Sequence, residues 1–150
     1  MKIVRRFALA MLFLLAVAHL PLRADDAKNI QRNEGPLVEP DVVYGHKDGM
    51  ALTFDVVKPA RPNGAGILWI QSGGWYSTWN DPKILAILGK PYLDKGYTLV
   101  IVRHGSAPKY GIADAVADVR RSVRAVRLKA QHYGIGPERL GVTGGSDGGH

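Results

Sequence analysis

Leu140-Gly141-Val142-Thr143-Gly144-Gly145-Ser146-Asp147-Gly148-Gly149-His150 is the stretch on which the reading of this chain turns. Its first four residues form a short apolar strand, which runs directly into glycines that set a serine in G-x-S-x-G spacing, Gly144 to Gly148. The spacing has a mechanical reason. A serine on a sharp strand-to-helix turn has a strained backbone, and glycines two residues to either side remove side chains that would clash there. Such a turn holds the hydroxyl out over the end of a sheet. Ser146 is therefore the candidate nucleophile.

A second glycine segment, Gln71-Ser72-Gly73-Gly74-Trp75, follows another apolar run, Ile67-Leu68-Trp69-Ile70. Acyl transfer needs hydrogen-bond donors aimed at the developing oxyanion. One arrangement that supplies them uses the N–H of the residue after the serine and another N–H from a glycine loop after an earlier strand. Asp147 and Gly73 or Gly74 stand at those positions. Trp75 and Tyr76, with Trp79, follow the loop and are candidates to line an acyl or sugar pocket; equally, they cover the end of the sheet.

Between and before these segments the pattern is that of an α/β domain. Val42-Val43-Tyr44 and Leu52 to Val57 are β-branched or aromatic runs separated by His46-Lys47-Asp48-Gly49, and an Asp-Gly pair in that position predicts a hairpin. Tyr97 to Val102 is a second continuous apolar strand of the kind buried on both faces. Asn80 or Asp81 caps a predicted helix with Pro82 in its first turn and Ile84, Leu85, Leu88, Tyr92 and Leu93 as its apolar side, interrupted at Gly89 and Pro91 and stopped at Gly96. Ile112, Val116, Val119, Val123, Val126, Ala130 and Tyr133 alternate steps of three and four, which predicts an amphipathic helix ending at Gly134. The five basic residues from Arg120 to Lys129 are its solvated face rather than a polyanion site, since no aromatic interleaves them. Strands alternating with helices after a hairpin imply a mainly parallel sheet with helices on both faces. Ligands in such sheets bind beyond the carboxyl ends of the strands, where both glycine segments lie.

The chain begins with Lys2, Arg5 and Arg6 and an apolar run from Phe7 to Ala18. Twelve apolar residues fit the core of a signal peptide, whereas a membrane-spanning helix needs about 20. Cleavage after Ala24 is the expectation, with Ala18 as the other small-residue site and a retained anchor as the alternative. Residues 1–24 are then an export signal, 25–41 a polar lead-in and 42–150 the α/β domain. The product is exported to the periplasm or beyond, and no membrane contact is expected after cleavage. Much of the net charge of +7 belongs to the leader: residues 25–150 carry 16 basic and 13 acidic groups, so no nucleic-acid partner is implied. The absence of cysteine excludes a disulfide scaffold, thiolate metal sites and a cysteine nucleophile, and neither a metal nor a cofactor is expected.

From Val42 to His150 the chain resembles the N-terminal half of an α/β-hydrolase of the esterase/lipase group, which includes acetyl esterases, carbohydrate esterases and feruloyl-esterase-like enzymes. The likeness rests on Leu52-Thr53-Phe54-Asp55-Val56, the loop Ser72-Gly73-Gly74-Trp75, the helix from Asp118 to Tyr133, the connection Tyr133 to Val142 and the serine turn. The resemblance implies that Ser146 is the nucleophile, that Gly73, Gly74 and Asp147 give oxyanion amides, and that His150 is structural. Gln71 and Ser72 depart from the family's His and Gly, and Asp147 replaces a small residue, placing a carboxylate beside the developing oxyanion.

The triad order of this fold is Ser, then Asp or Glu, then His, and only four residues follow Ser146. His104, which follows a strand end, is the one upstream histidine with a case for a place near the cleft. The expectation is an incomplete serine hydrolase, truncated just after the serine turn, acting by lineage on small-molecule or carbohydrate-linked carboxylic esters and inactive as this chain alone. The alternative is an inactive hydrolase-like protein that binds a ligand or partner. A dinucleotide site fails, because no G-x-G stands at the serine turn, and there is no G-x-x-x-x-G-K.

Overall fold

All five side chains of the strand Thr98–Val102 are buried, and alternate ones face opposite layers of the molecule. The computed structural model describes residues 35–71 and 73–150. The expected export signal, residues 25–34 of the lead-in and Ser72 lie outside the described residues.

Five strands form one open sheet: β1 (Leu37–Lys47), β2 (Met50–Lys58), β3 (Gly66–Ile70), β4 (Thr98–Val102) and β5 (Leu140–Gly144), in the order β1-β2-β4-β3-β5. β1 and β2 form the expected hairpin, turning through Asp48 and Gly49 at φ 47° and 82°, the two positive values a type I′ turn needs. β2 is antiparallel to β4, while β3 is parallel to both β4 and β5. Helices make the crossovers: α1 (Pro82–Leu88) and α2 (Lys90–Leu93) join the neighbours β3 and β4, and α3 (Ile112–Leu128) carries the chain from β4 across β3 to β5. This is the α/β-hydrolase type of sheet, with helices on both faces.

The sheet has a packed layer on each side. Leu68, Ile70, Val100, Val102 and Phe54 meet Val126 of α3, with Ala130, Tyr133 and Ile135 beyond it. Leu99, Ile101 and Val57 meet Leu85, Ala86 and Leu93 of α1 and α2. Each fully buried aliphatic side chain contributes about 1.5–3 kcal/mol, so the central β4 is the main source of rigidity beneath the loops at its carboxyl end.

Three details depart from the sequence pattern. β1 begins at Leu37, inside the stretch expected to be a polar lead-in. Its register shifts between Glu39 and Val42 around Asp41 at φ 53°, and that irregularity hides the alternation of the strand. In α1, capped by Asp81, it is Leu85 and Ala86 that face the sheet, whereas Ile84 and Leu88 are exposed. In α3 the expected stripe holds for Val126, followed by Ala130 and Tyr133, but Ile112 and Val116 are exposed while Asp118 and Ser122 are buried. The first half of α3 is turned by polar contacts: Asp118 accepts the Gly105 N–H at 3.0 Å and the Lys47 ammonium at 3.0 Å.

Candidate active site

β5 ends in the sharp turn that its glycines predict. Gly145 is extended, Ser146 stands at φ 52°, and the chain enters a single 3-10 turn, Ser146–Gly149, in which the Gly148 N–H donates to the Gly145 carbonyl at 2.9 Å. A left-handed backbone on a residue with a Cβ costs about 1–2 kcal/mol, so the surrounding contacts must hold it. Gly144 shows how tight the turn is: a Cβ there would stand inside the contact distance of the Gly148 carbonyl. Ser146 itself is exposed at the end of the sheet.

The loop after β3 lies alongside, because β3 and β5 are parallel neighbours. The Gln71 N–H donates to the Val102 carbonyl at 3.0 Å, prolonging the β3–β4 ladder by one bond. Gly74 and Trp75 then take left-handed conformations, φ 64° and 69°. Successive residues of that kind aim neighbouring amides into one concavity, which suits an anion. Behind the loop, the Ala107 N–H donates to the Trp75 carbonyl at 3.0 Å, the Ser77 N–H to Ser106 Oγ at 3.0 Å, and the His104 N–H to Ser77 Oγ at 2.9 Å. The loop is therefore braced by the segment following β4. Ser77 and Ser106 carry no sequence signal for this role, since ordinary loop serines look the same.

The two glycine segments meet through a group that sequence reasoning did not place. The Asp147 carboxylate accepts the Gly73 and Gly74 N–H groups on Oδ1, at 3.1 and 3.2 Å, and the Trp75 N–H on Oδ2 at 2.9 Å. The amides expected to face a substrate oxygen thus face a carboxylate of the residue next to Ser146. It points toward the loop amides, which offset its charge.

Apolar and titratable groups gather around this contact. A cleft of about 390 Å³ is lined by Trp75, His104, Val116, Val142, Asp147 and His150, among others. The Trp75 and His150 rings meet edge to face on the wall of this cleft, with centroids 5.9 Å apart. Tyr76 and Trp79 are exposed and do not line the cleft. His104 is buried, and its Nδ1–H donates to the Gly105 carbonyl at 2.8 Å. Among the described residues, no histidine is hydrogen-bonded to the Ser146 hydroxyl, and no cluster of His, Asp or Glu is arranged to hold a metal ion.

A second ionic cluster secures the base of the β4 loop. Lys47 bridges Asp114 at 3.2 Å and Asp118 at 3.0 Å. The Gly111 N–H, and then the Lys47 ammonium, hold the Asp114 carboxyl below its ordinary range. Burial pulls the Lys47 ammonium down, but the hydrogen bonds it donates to Asp118 and Asp114 outweigh it and leave its pKa above the ordinary 10.5. Burial, assisted by the Asp118 charge, pushes the Tyr44 hydroxyl well above the usual phenol range, and that hydroxyl donates to the Arg103 carbonyl.

Comparison with known proteins identifies the family and the fold. The BD-FAE family model matches residues 54–150, from the middle of β2 through the serine turn. The probable carboxylic ester hydrolase LipM of Mycobacterium tuberculosis is 29% identical over 115 residues, covering 73% of this chain and 26% of LipM. The thermophilic esterase Est2 of the planctomycete Thermogutta terrifontis superposes with a TM-score of 0.62 at 25% identity, covering 76% of this chain and 41% of that one. A bifunctional GH43-CE protein of Bacteroides eggerthii gives 0.60 at 26% identity, covering 74% and 16%. The chain spans about a quarter of LipM and about two fifths of Est2. With its mixed sheet, its serine turn and its glycine loop on adjacent parallel strands, the chain belongs to the BD-FAE family of feruloyl-esterase-like α/β-hydrolases.

Proposed function

We propose that the protein is an exported serine hydrolase of carboxylic esters, with Ser146 as its nucleophile. The observation that carries this reading is Ser146 at φ 52° on the turn after β5, directly beside a loop whose consecutive amides converge on one point. In the proposed reaction the Ser146 hydroxyl attacks the ester carbonyl, its proton passes to a general base, and the carbonyl oxygen takes the negative charge. Collapse of the tetrahedral intermediate expels the alcohol and leaves an acyl-enzyme, which water hydrolyses to the acid. The Asp147 N–H and the Gly73 and Gly74 amides are the oxyanion donors in this scheme, each worth roughly 10²–10³ in rate. Trp75 lines the acyl or alcohol pocket.

None of the described histidines is hydrogen-bonded to the Ser146 hydroxyl, so the base and its carboxylate partner are to be sought in the additional length that LipM and Est2 carry. Est2 has been seen with propionate and with butyrate, which supports a short-chain acyl group as the first substrate class to try. Export rests on the basic, then apolar, residues 2–24.

The test is hydrolysis of p-nitrophenyl acetate and labelling by a fluorophosphonate, measured on full-length protein and on Ser146→Ala. Loss of both in the variant, with the fold retained, supports the reading. Retention of either one refutes Ser146 as nucleophile. Asp147 on the loop amides favours a second reading, a binding-only relative, and binding without turnover in a full-length protein is the outcome that would select it.

A further inference from the structure

Resting on the reading of Ser146 as an ester nucleophile, we propose that Asp147 autoinhibits the site: its carboxylate occupies the anion-binding amides of Gly73, Gly74 and Trp75 and must leave before an ester carbonyl oxygen can use them. Both carboxylate oxygens are engaged, by three consecutive N–H groups at 2.9 to 3.2 Å. Consecutive left-handed residues at Gly74 and Trp75 aim those groups at a common point, and Asp147 fills that point.

Chemistry makes this occupant competitive. Ester hydrolysis yields a carboxylic acid, so Asp147 presents to the amides the same two-oxygen anion that the reaction leaves behind. It is attached to the turn that carries Ser146, so its effective concentration at the amides far exceeds that of any diffusing acid. Charge acts in the same direction, because a carboxylate seated there repels the negative charge that must develop beside it. The site is then open only in the fraction of molecules whose Asp147 side chain has swung away, and acylation falls in proportion to that fraction. The hinge is small: Asp147 sits in a single 3-10 turn among Gly144, Gly145, Gly148 and Gly149, so a rotation about its Cα–Cβ bond releases the amides without disturbing the sheet.

A competing role exists for the same contact. Asp147 can instead be a clamp that shapes the loop, in which case removing it disorders the amides and lowers function. The two roles give opposite results when Asp147 is replaced. In full-length ¹⁵N-labelled protein, acetate is titrated against native protein, Asp147→Ala and Asp147→Ser while the Gly73, Gly74 and Trp75 amides are followed by NMR. Amides of Val100 and Ile101 in β4 report whether each variant keeps the fold, and the smaller change to Ser covers the case in which Ala disturbs the turn.

Autoinhibition requires saturable acetate shifts at those three amides in the variants, with a midpoint at least about tenfold below that of native protein. Fluorophosphonate labelling of Ser146 should rise by a similar factor. An acetate midpoint unchanged in the folded variants, or no response in any protein, overturns the proposal whatever the labelling does. Tighter acetate binding in the variants with no labelling in any protein leaves Asp147 as the occupant of an anion site and refutes Ser146 as nucleophile instead.

Discussion

Replacing Gly144 by alanine should break the serine turn, whereas the same change one residue later should be harmless. A Cβ on Gly144 would overlap the carbonyl carbon and oxygen of Gly148 and approach its Cα at 3.1 Å. Both sides of that contact are backbone, so no rotamer relieves it, and the turn must open by about 1 Å or more to regain ordinary separation. Inserting a methyl group into a packed site costs typically about 1–3 kcal/mol, and a rigid backbone neighbour places this one at about 3 kcal/mol. Gly145 is extended at φ −116° with nothing within 4 Å of a Cβ, so alanine there is accommodated and stabilises by about 0.4–1 kcal/mol through the unfolded chain. At about 2–4 °C per kcal/mol for a chain of this length, the two variants should differ in Tm by about 7–16 °C. Thermal unfolding by circular dichroism measures the difference, and fluorophosphonate labelling reports whether Ser146 still presents its hydroxyl. Gly141→Ala, also with open space around its Cβ, is the control within β5. Equal melting temperatures for Gly144→Ala and Gly145→Ala, or undiminished labelling in the former, would refute the claim that Gly144 is required by the turn itself.

Other consequences follow from the polar contacts. Arg103→Met leaves Asp55, fully buried and bound by Arg103 at 2.6 and 2.9 Å, without its counter-charge, and urea unfolding should show a loss of about 3–5 kcal/mol. The double variant Arg103→Met/Asp55→Leu should recover most of it; a loss below about 1 kcal/mol in the single variant would count against a paired interior. The Lys47 cluster sets a pH window. The Asp114 pKa is lowered on folding, so its contribution is present above the ordinary 3.8 and disappears as pH falls through the lowered value. The Lys47 pKa is raised, so its contribution is present below 10.5 and disappears as pH rises through the raised value. Lys47→Met should therefore destabilise most between those limits and converge on native stability outside them; a difference independent of pH would contradict this. Asp81→Ala removes the cap that accepts the Lys83 N–H at 2.9 Å and should cost about 1 kcal/mol in thermal unfolding without altering Ser146 labelling.

Much of the architecture was legible because it depends on local pattern. The runs Ile67–Ile70 and Tyr97–Val102 read as strands buried on both faces; β4 is so throughout, while β3 keeps Ile67 and Trp69 half-buried on one face. Asp48-Gly49 specified its own turn, since few residue pairs take positive φ twice. The serine turn and the loop after β3 were placed at the carboxyl ends of strands by glycine spacing and the runs before them, and the structure sets those two strands side by side.

Less was legible wherever a residue's role depends on a partner distant in sequence. Periodicity assigned Ile112 and Val116 to the core, yet Asp118 and Ser122 took the buried side of α3, because the Gly105 amide and the Lys47 ammonium lie there and a buried carboxylate has to be paired. The lead-in concealed the start of β1, since a strand bent at Asp41 shows no clean alternation.

Asp147 marks the division most clearly. Sequence alone put a carboxylate after Ser146 and two glycines after β3, and by itself determined that strand ends and glycine turns converge, since strand burial, turn chemistry and chain order are written in neighbouring residues. Tertiary structure alone decided that this carboxylate lies on the Gly73, Gly74 and Trp75 amides, more than seventy positions away. The direction of a side chain within a site is set by which donors the completed fold brings within hydrogen-bond reach, and no local pattern encodes that distance.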